Sequence, residues 1–184
     1  MKNIANLLFE ASILKKIPRS GYHFLGTGKE SIAEHSFITT FIAWVISNIE
    51  PDINSFRLIT MCLVHDLPEA RTGDLNAVQK QYVTADEKKA LTDLTRHLSF
   101  GTSIVELVDE FNECKTREAK LAHDADQLAF IIDLKAKKDL GITSPVKWLP
   151  HVINRLKTDT GKKIAEEISH TEWDEWWLKN FVDG

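Results

Sequence analysis

Apolar residues recur along this chain with a period close to that of an α-helix. In the first segment Ile4, Leu7, Leu8, Ala11 and Leu14 fall on one helical face. Ile38, Phe41, Ile42, Val45, Ile46 and Ile49 make a second stripe, and Leu58, Ile59, Cys62 and Leu63 a third. TADEKKALTDLTRHLS opens with Thr84 and Glu87 at capping-box spacing. Gly101 separates it from TSIVELVDEFNE. Thr116 is the predicted cap of a long helix through Lys138, with Gly141 just past its end. Ser144-Pro145 puts a proline at a first helical position, and that helix is predicted to run to about His170. TEWDEWWLKNF closes the chain, with Trp173, Trp176 and Trp177 on one helical face. The simpler reading docks that face on the chain's own core; the other gives it to a second copy. No alternating run is long enough to predict a strand. The pattern predicts one all-α domain over residues 1–184, a helical bundle.

Three polar residues sit where these stripes demand apolar ones. Steps of four and three lead from Leu58 to Cys62 and His65, and from Ile59 to Leu63 and Asp66. From His35 the steps lead to Ile38, Ile42 and Val45. His35, His65 and Asp66 therefore point inward. A lone buried histidine is usually a hydrogen-bonded core residue. An ionised carboxylate in the same interior is costly without a partner. Two imidazoles and a carboxylate together, with more carboxylates just downstream, predict a divalent cation between core helices. Nitrogen and oxygen ligands suit Mn, Mg, Fe, Co or Zn, and residue types do not choose among them.

Composition narrows the function classes. Hydrophobic residues make up 43% of the chain and charged residues 27%, an ordinary globular balance, and the formal net charge is −4. That balance, with no basic run, argues against a nucleic-acid polymer as partner. MKNIANLLFEASILKKI is amphipathic rather than a signal peptide. No window is read as an uncharged apolar stretch of 18 residues, so no membrane span is expected and a cytoplasmic location is. Cys62 and Cys114 do not make a disulfide scaffold or a cysteine-ligated structural zinc site.

His35 in AEHSF, His65-Asp66 in VHDLPEARTGD and the later HDADQLAF resemble the HD-domain metal-dependent phosphohydrolases. Within them the chain is most similar to the HD-domain 5′-deoxynucleotidases, over about Ile13 to Lys135. The resemblance implies an all-helical HD-type fold and one divalent metal held by His35, His65, Asp66 and one aspartate of HDADQL. Periodicity leaves Asp124 and Asp126 both open, since each shares a face with core positions. The family's DADKL-like run matches Asp126, and the small Ala122 and Ala129 beside it leave room.

By the same resemblance Glu69 and Asp74 are the acidic pair that manages protons, with Asp74 alternatively holding the sugar. Read alone, they are a helix-start glutamate and a turn aspartate. Arg19 matches a phosphate-gripping arginine, a role its planar guanidinium suits. Tyr22 stands where relatives often have Trp, and LGTGKES replaces an RNV-like stretch, which puts selection against a ribose 2′-hydroxyl in question. Lys80 is a candidate second phosphate contact. The implied activity is hydrolysis of a small nucleotide, a (deoxy)nucleoside 5′-monophosphate, by a homodimer. The competing readings are hydrolysis of a triphosphate, cyclic nucleotide or guanosine polyphosphate, and a non-catalytic metal-binding nucleotide sensor.

Overall fold

The structure, a computed structural model, describes residues 1–182. In chain order its helices are α1 (Lys2–Ile13), α2 (Tyr22–Leu25), α3 (Ile32–Ile49), α4 (Ser55–Val64), α5 (Glu69–Thr72) and α6 (Glu87–Thr95). They continue with α7 (Gly101–Glu113), α8 (Arg117–Asp139), α9 (Ser144–Ile153), α10 (Asp159–His170) and α11 (Glu175–Val182). Among the described residues the one β-type pairing is an isolated antiparallel bridge between Pro18 and Ser31. The fold is all-α.

Local signals start most of the long helices. Ser31 and Glu34 form a capping box on α3. Asn54 caps α4 through the Arg57 amide, and Thr116 caps α8 through the Ala119 amide. Several boundaries differ from the sequence reading, among them Gly101, which opens α7 rather than separating two helices, and Trp173, which precedes α11. Asp86, not Thr84, caps α6, accepting the Lys89 amide. The long helix expected from Ser144 to His170 is two helices, because the segment 154–158 turns and Thr158 caps α10 afresh.

Helices α3, α4 and α8 pack together, with α9 and α10 against α8 and α7 against α4 and α8. Ile46, Leu58, Met61, Leu121, Leu128, Ile131 and Leu134 are fully buried in this main core. Each contributes roughly 1.5–3 kcal/mol by leaving water. A second cluster joins Leu14, Ile32, Leu67, Leu91, Leu94, Ile104 and Val108.

Which residues of a stripe face inward was not always legible. On α3 the buried face is Ile32, His35, Ser36, Thr39, Ile42, Ala43 and Ile46, whereas Phe41, Val45 and Ile49 are exposed. This helix is apolar on most sides, so period alone cannot select its face. Its small residues mark the side on which neighbouring helices approach. The sequence reading found no membrane-length apolar window, yet α3 is long and apolar enough to cross a membrane by length and composition, with 39% of it buried inside the protein. On α4, Leu63 is exposed, so Asp66 does not reach the interior along that stripe. The helix ends at Val64, and the following turn aims Asp66 instead. At the C-terminus Trp173 and Trp176 are exposed and outside both core clusters, contrary to a docked aromatic face. The Trp173 amide donates to Asp139 at 3.1 Å. Cys62 and Cys114 are both free.

Asp124 shows what the turn at 154–158 is built on. Its carboxylate is fully buried and accepts the amides of Lys157 (2.7 Å) and Thr158 (2.8 Å) and the Thr158 hydroxyl (2.6 Å). Gly161 packs so closely that a Cβ there would collide with that carboxylate. Asp124→Ala removes the acceptor of two amides and a hydroxyl and leaves a cavity at a fully buried position, and should cost about 3 kcal/mol. Thermal melting is expected to show a midpoint lower by roughly 6–12 °C, and an unchanged melt would contradict this role.

Candidate metal centre and pocket

His35 lies at the end of the first turn of α3, held there by the Ser31–Glu34 box: Ser31 N donates to Glu34 Oε2 at 2.6 Å, and Glu34 N to Ser31 Oγ at 3.2 Å. His65 closes the last turn of α4, its amide bonded to Met61 O at 3.0 Å. Asp66 follows in the turn, whose backbone bonds Leu67 N→Val64 O and Glu69 N→Asp66 O lead into Pro68 and the short helix α5. Pro68 precedes that helix and Glu69 is its first residue. Asp126 comes from the middle of α8.

These segments meet at one place. His35 Nε2 lies 2.8 Å from Asp126 Oδ1, and the two imidazole centroids are 5.9 Å apart. Asp66 Oδ2 is 3.2 Å from His65 Nε2 and 4.0 Å from His35 Nε2. His35, His65 and Asp126 each offer one ligand atom within 4.8 Å of the others, a spacing suited to a single cation. Asp124 is turned to α10 and takes no part. Positions two apart on a helix face different ways.

The donor set fits a divalent cation on electrostatic grounds. His65 Nδ1 is 2.8 Å from Cys62 O, and a carbonyl only accepts, so Nδ1 carries the hydrogen. In the neutral ring Nε2 is then a bare lone pair aimed at a carboxylate. Buried His65 Nε2 and Asp66 Oδ2 make no hydrogen bond despite their 3.2 Å approach. A cation or a proton between them resolves that opposition. Burial alone would lower the His65 pKa, but Asp66 and Asp126 outweigh it and push it up to about 9. Burial would likewise raise Asp126, yet the hydrogen bond and charge of His35, with His65 and Arg19, hold it well below the ordinary carboxylate range. Gln127 Nε2 donates to the other Asp126 oxygen at 2.7 Å. Phe111 packs on His65 with centroids 4.7 Å apart and stacks on His123 at 4.1 Å, so the His65 ring is walled on its protein side.

A cavity of about 360 Å³ opens onto this cluster, a size suited to a small ligand. Arg19, Tyr22, Glu69, Asp74 and Lys80 all line it, together with His65, Asp66 and Asp126. His35 is fully buried behind them. Arg19 Nη1 reaches Asp66 Oδ2 at 3.6 Å. Burial would lower the Arg19 pKa, but Asp126, Asp66, Asp74 and Glu30 outweigh it and raise it. Asp74 Oδ2 accepts the Ser20 amide at 2.7 Å and thereby fixes the segment carrying Arg19. Gly73 before it has φ of +72°, a conformation side chains rarely adopt. Burial first, then Asp66 and Asp74, push the Glu69 carboxyl up to about 9, and its Oε2 is buried without a hydrogen-bond partner. Lys80 is exposed at the rim.

Tyr22 contributes its ring rather than its hydroxyl. The hydroxyl donates to Asp133 Oδ2 at 2.7 Å and lies 3.3 Å from Glu30 Oε2, and neither carboxylate lines this cavity. The ring meets Phe130 edge-on at 6.5 Å, and Phe130 meets Trp148 edge-on at 6.4 Å, giving one aromatic wall. The sequence reading missed Gln127, Phe130, Trp148 and Arg155, which also line the cavity. Gln127 and Phe130 stood inside HDADQLAF. Trp148 and Arg155 carried no local signal, because they belong to α9 and to the turn misread as helix.

Fold and site thus define a helical protein with an internal cluster of cation ligands at the floor of a cavity. A family model described as HD domain matches residues 11–169, and the chain belongs to the HD-domain family. It is 30% identical over 131 residues to 5′-deoxynucleotidase HDDC2 of Dictyostelium discoideum, covering 65% of this chain and 69% of that one. Against the protein of the same name from Danio rerio it is 30% identical over 146 residues, covering 76% and 72%. A solved structure, a conserved hypothetical protein from Pyrococcus furiosus, superposes with a TM-score of 0.74 at 27% identity, covering 91% of this chain and 99% of that one.

The charge imbalance predicts a stability response. Chelator-stripped protein given Mn²⁺ or Co²⁺ at about 100 times its Kd should gain about 2.7 kcal/mol, a rise in melting midpoint of roughly 5–10 °C. Asp126→Asn should remove the rise. An equal rise in that variant would place the cation elsewhere.

Proposed function

We propose that the chain is a metal-dependent phosphomonoester hydrolase that releases phosphate from nucleoside 5′-monophosphates, deoxynucleotides among them. One observation carries the reading: His35, His65, Asp66 and Asp126 converge beside Arg19 at the floor of a cavity with an aromatic wall. Membership of the HD-domain family and the likeness to proteins named 5′-deoxynucleotidase support it.

In this reading His35, His65, Asp66 and Asp126 hold one divalent cation. Such an ion lowers the pKa of a water molecule and offsets phosphate charge. Arg19 binds the phosphate with paired N–H donors and orients it toward the carboxylate cluster. Water adds to phosphorus, the bond from phosphorus to the 5′-oxygen breaks, and the products are a nucleoside and inorganic phosphate. Glu69 handles the proton. Ionised, it is a stronger base than an ordinary carboxylate; protonated, it can return the proton to the leaving 5′-oxygen. Asp74 acts by holding the Arg19–Ser20 segment in place. The wall of Tyr22, Phe130 and Trp148 is apolar surface for the nucleoside. Because Asp133 holds the Tyr22 hydroxyl away from the cavity, the ring offers no polar partner to a 2′-hydroxyl, which favours the deoxy sugar.

Phosphate release from paired ribo- and deoxynucleoside monophosphates, triphosphates and cyclic nucleotides, in the presence of each candidate metal, tests this. Turnover should be confined to the monophosphates. Turnover only on triphosphates or cyclic nucleotides would reassign the substrate, and tight nucleotide binding without turnover would make the chain a sensor. Glu69→Gln is expected to lower kcat by roughly 10²–10⁴-fold while leaving metal binding in place. Arg19→Ala should lower kcat/KM roughly 10–100-fold, the loss of a charge-assisted hydrogen bond.

A further inference from the structure

We propose that Glu30 is the positioning residue for His35: its carboxylate, 3.8 Å from Nδ1 in this structure, closes on that nitrogen when a cation binds, accepts its proton and so keeps Nε2 bare for the cation. The inference rests on the metal-binding reading above and assigns a role to a residue outside the cavity.

His35 is fully buried. Its Nε2 points into the ligand cluster, 2.8 Å from Asp126 Oδ1, with Thr39 Oγ1 at 3.3 Å. A neutral imidazole has one protonated and one bare nitrogen. If Nε2 is to bind a cation, the hydrogen must sit on Nδ1. That nitrogen is buried and has no hydrogen-bond partner, a costly condition for an N–H group. The charged group facing it is Glu30, whose Oε2 lies 3.8 Å away. This is about 1 Å beyond a normal hydrogen bond.

Two features keep that carboxylate available. Its other close neighbour, the Tyr22 hydroxyl, has a single proton. Asp133 at 2.7 Å is a nearer acceptor for it than Glu30 at 3.3 Å. The backbone of Glu30 is also fixed. Arg19 N donates to Glu30 O at 2.8 Å, and Ile32 N donates to Ile17 O at 3.0 Å, on either side of the Pro18–Ser31 bridge. The strand-like pairing that presents Arg19 to the cavity thus also presents Glu30 to His35 from behind. A carboxylate accepting from the second nitrogen of a ligand histidine fixes its tautomer and ring orientation and raises its basicity. Losing such a partner typically weakens metal affinity 10–100-fold.

The test is calorimetric titration of chelator-stripped protein with Mn²⁺ or Co²⁺. It compares wild type, Glu30→Ala, Glu30→Gln and Lys29→Ala, with circular dichroism and melting recorded before metal is added. Glu30→Ala should weaken Kd 10–100-fold. Glu30→Gln should fall between it and wild type, about 3–10-fold weaker, because its amide oxygen still accepts the proton but carries no charge. Lys29→Ala, on the same strap, should match wild type. An unchanged Kd in either Glu30 variant overturns the proposal, as does an equal loss in Lys29→Ala, which would trace the effect to the strap. Should Glu30→Ala fail to fold, Glu30→Gln decides alone. Wild type that takes up no divalent cation overturns the metal reading itself, and this proposal with it.

Discussion

Burying several carboxylates in one place is unfavourable unless positive charge is buried with them. Asp66, Asp126, Glu69 and Asp74 surround one end of a cavity, with the Arg19 guanidinium among them and two imidazoles behind. His65 is oriented by the Cys62 carbonyl so that its bare nitrogen meets Asp66. Protein groups alone answer this with protons: His65 holds one tightly and Glu69 is pushed up to about 9. A divalent cation answers it better, because it takes both lone pairs at once. The site carries a charge balance that a bound cation would relieve, and functional sites are where such perturbations gather.

The helices exist to keep that arrangement from relaxing. α8 shows how closely structure and site share a scaffold. Asp126 turns toward His35 while Asp124, two positions earlier, turns away and stitches the start of α10 to the bundle. One carboxylate is satisfied by two backbone amides and a hydroxyl, and the other faces the His35 imidazole and takes the Gln127 side-chain amide. The stitch matters to the cavity too, since it secures the turn that carries Arg155 and the end of α9, the helix of Trp148.

Arg19 and Tyr22 come from the least regular stretch of the molecule. Local helix propensity does not hold it. The Ser20–Asp74 bond, the Pro18–Ser31 bridge and the Tyr22–Asp133 bond do. Each ties the loop to an element that also carries a residue of the cavity or its neighbour, so Arg19 and the carboxylate cluster are placed against one frame. Preorganisation of this kind is what phosphoryl transfer asks of a protein.

Helical period, the cap at Thr116, a helix start at Ser144-Pro145 and the inward placing of His35 and His65 were legible in the residues, because they depend on neighbours three and four positions away. So was a cation site, since imidazoles and carboxylates at core positions have few other reasons to be there. Other features lay beyond local pattern. The buried face of α3 and the break at Thr158 depend on what packs against them, and so does the turn that aims Asp66. Period could not separate Asp124 from Asp126; family likeness chose between them, and the carboxylate's neighbours in space show the different work each does. The aromatic wall of Phe130 and Trp148, and Glu30 behind His35, join residues distant in sequence. The sequence determined which groups would be buried with charge to share; only the tertiary structure decided which of them face one another, because that depends on helices meeting across the core.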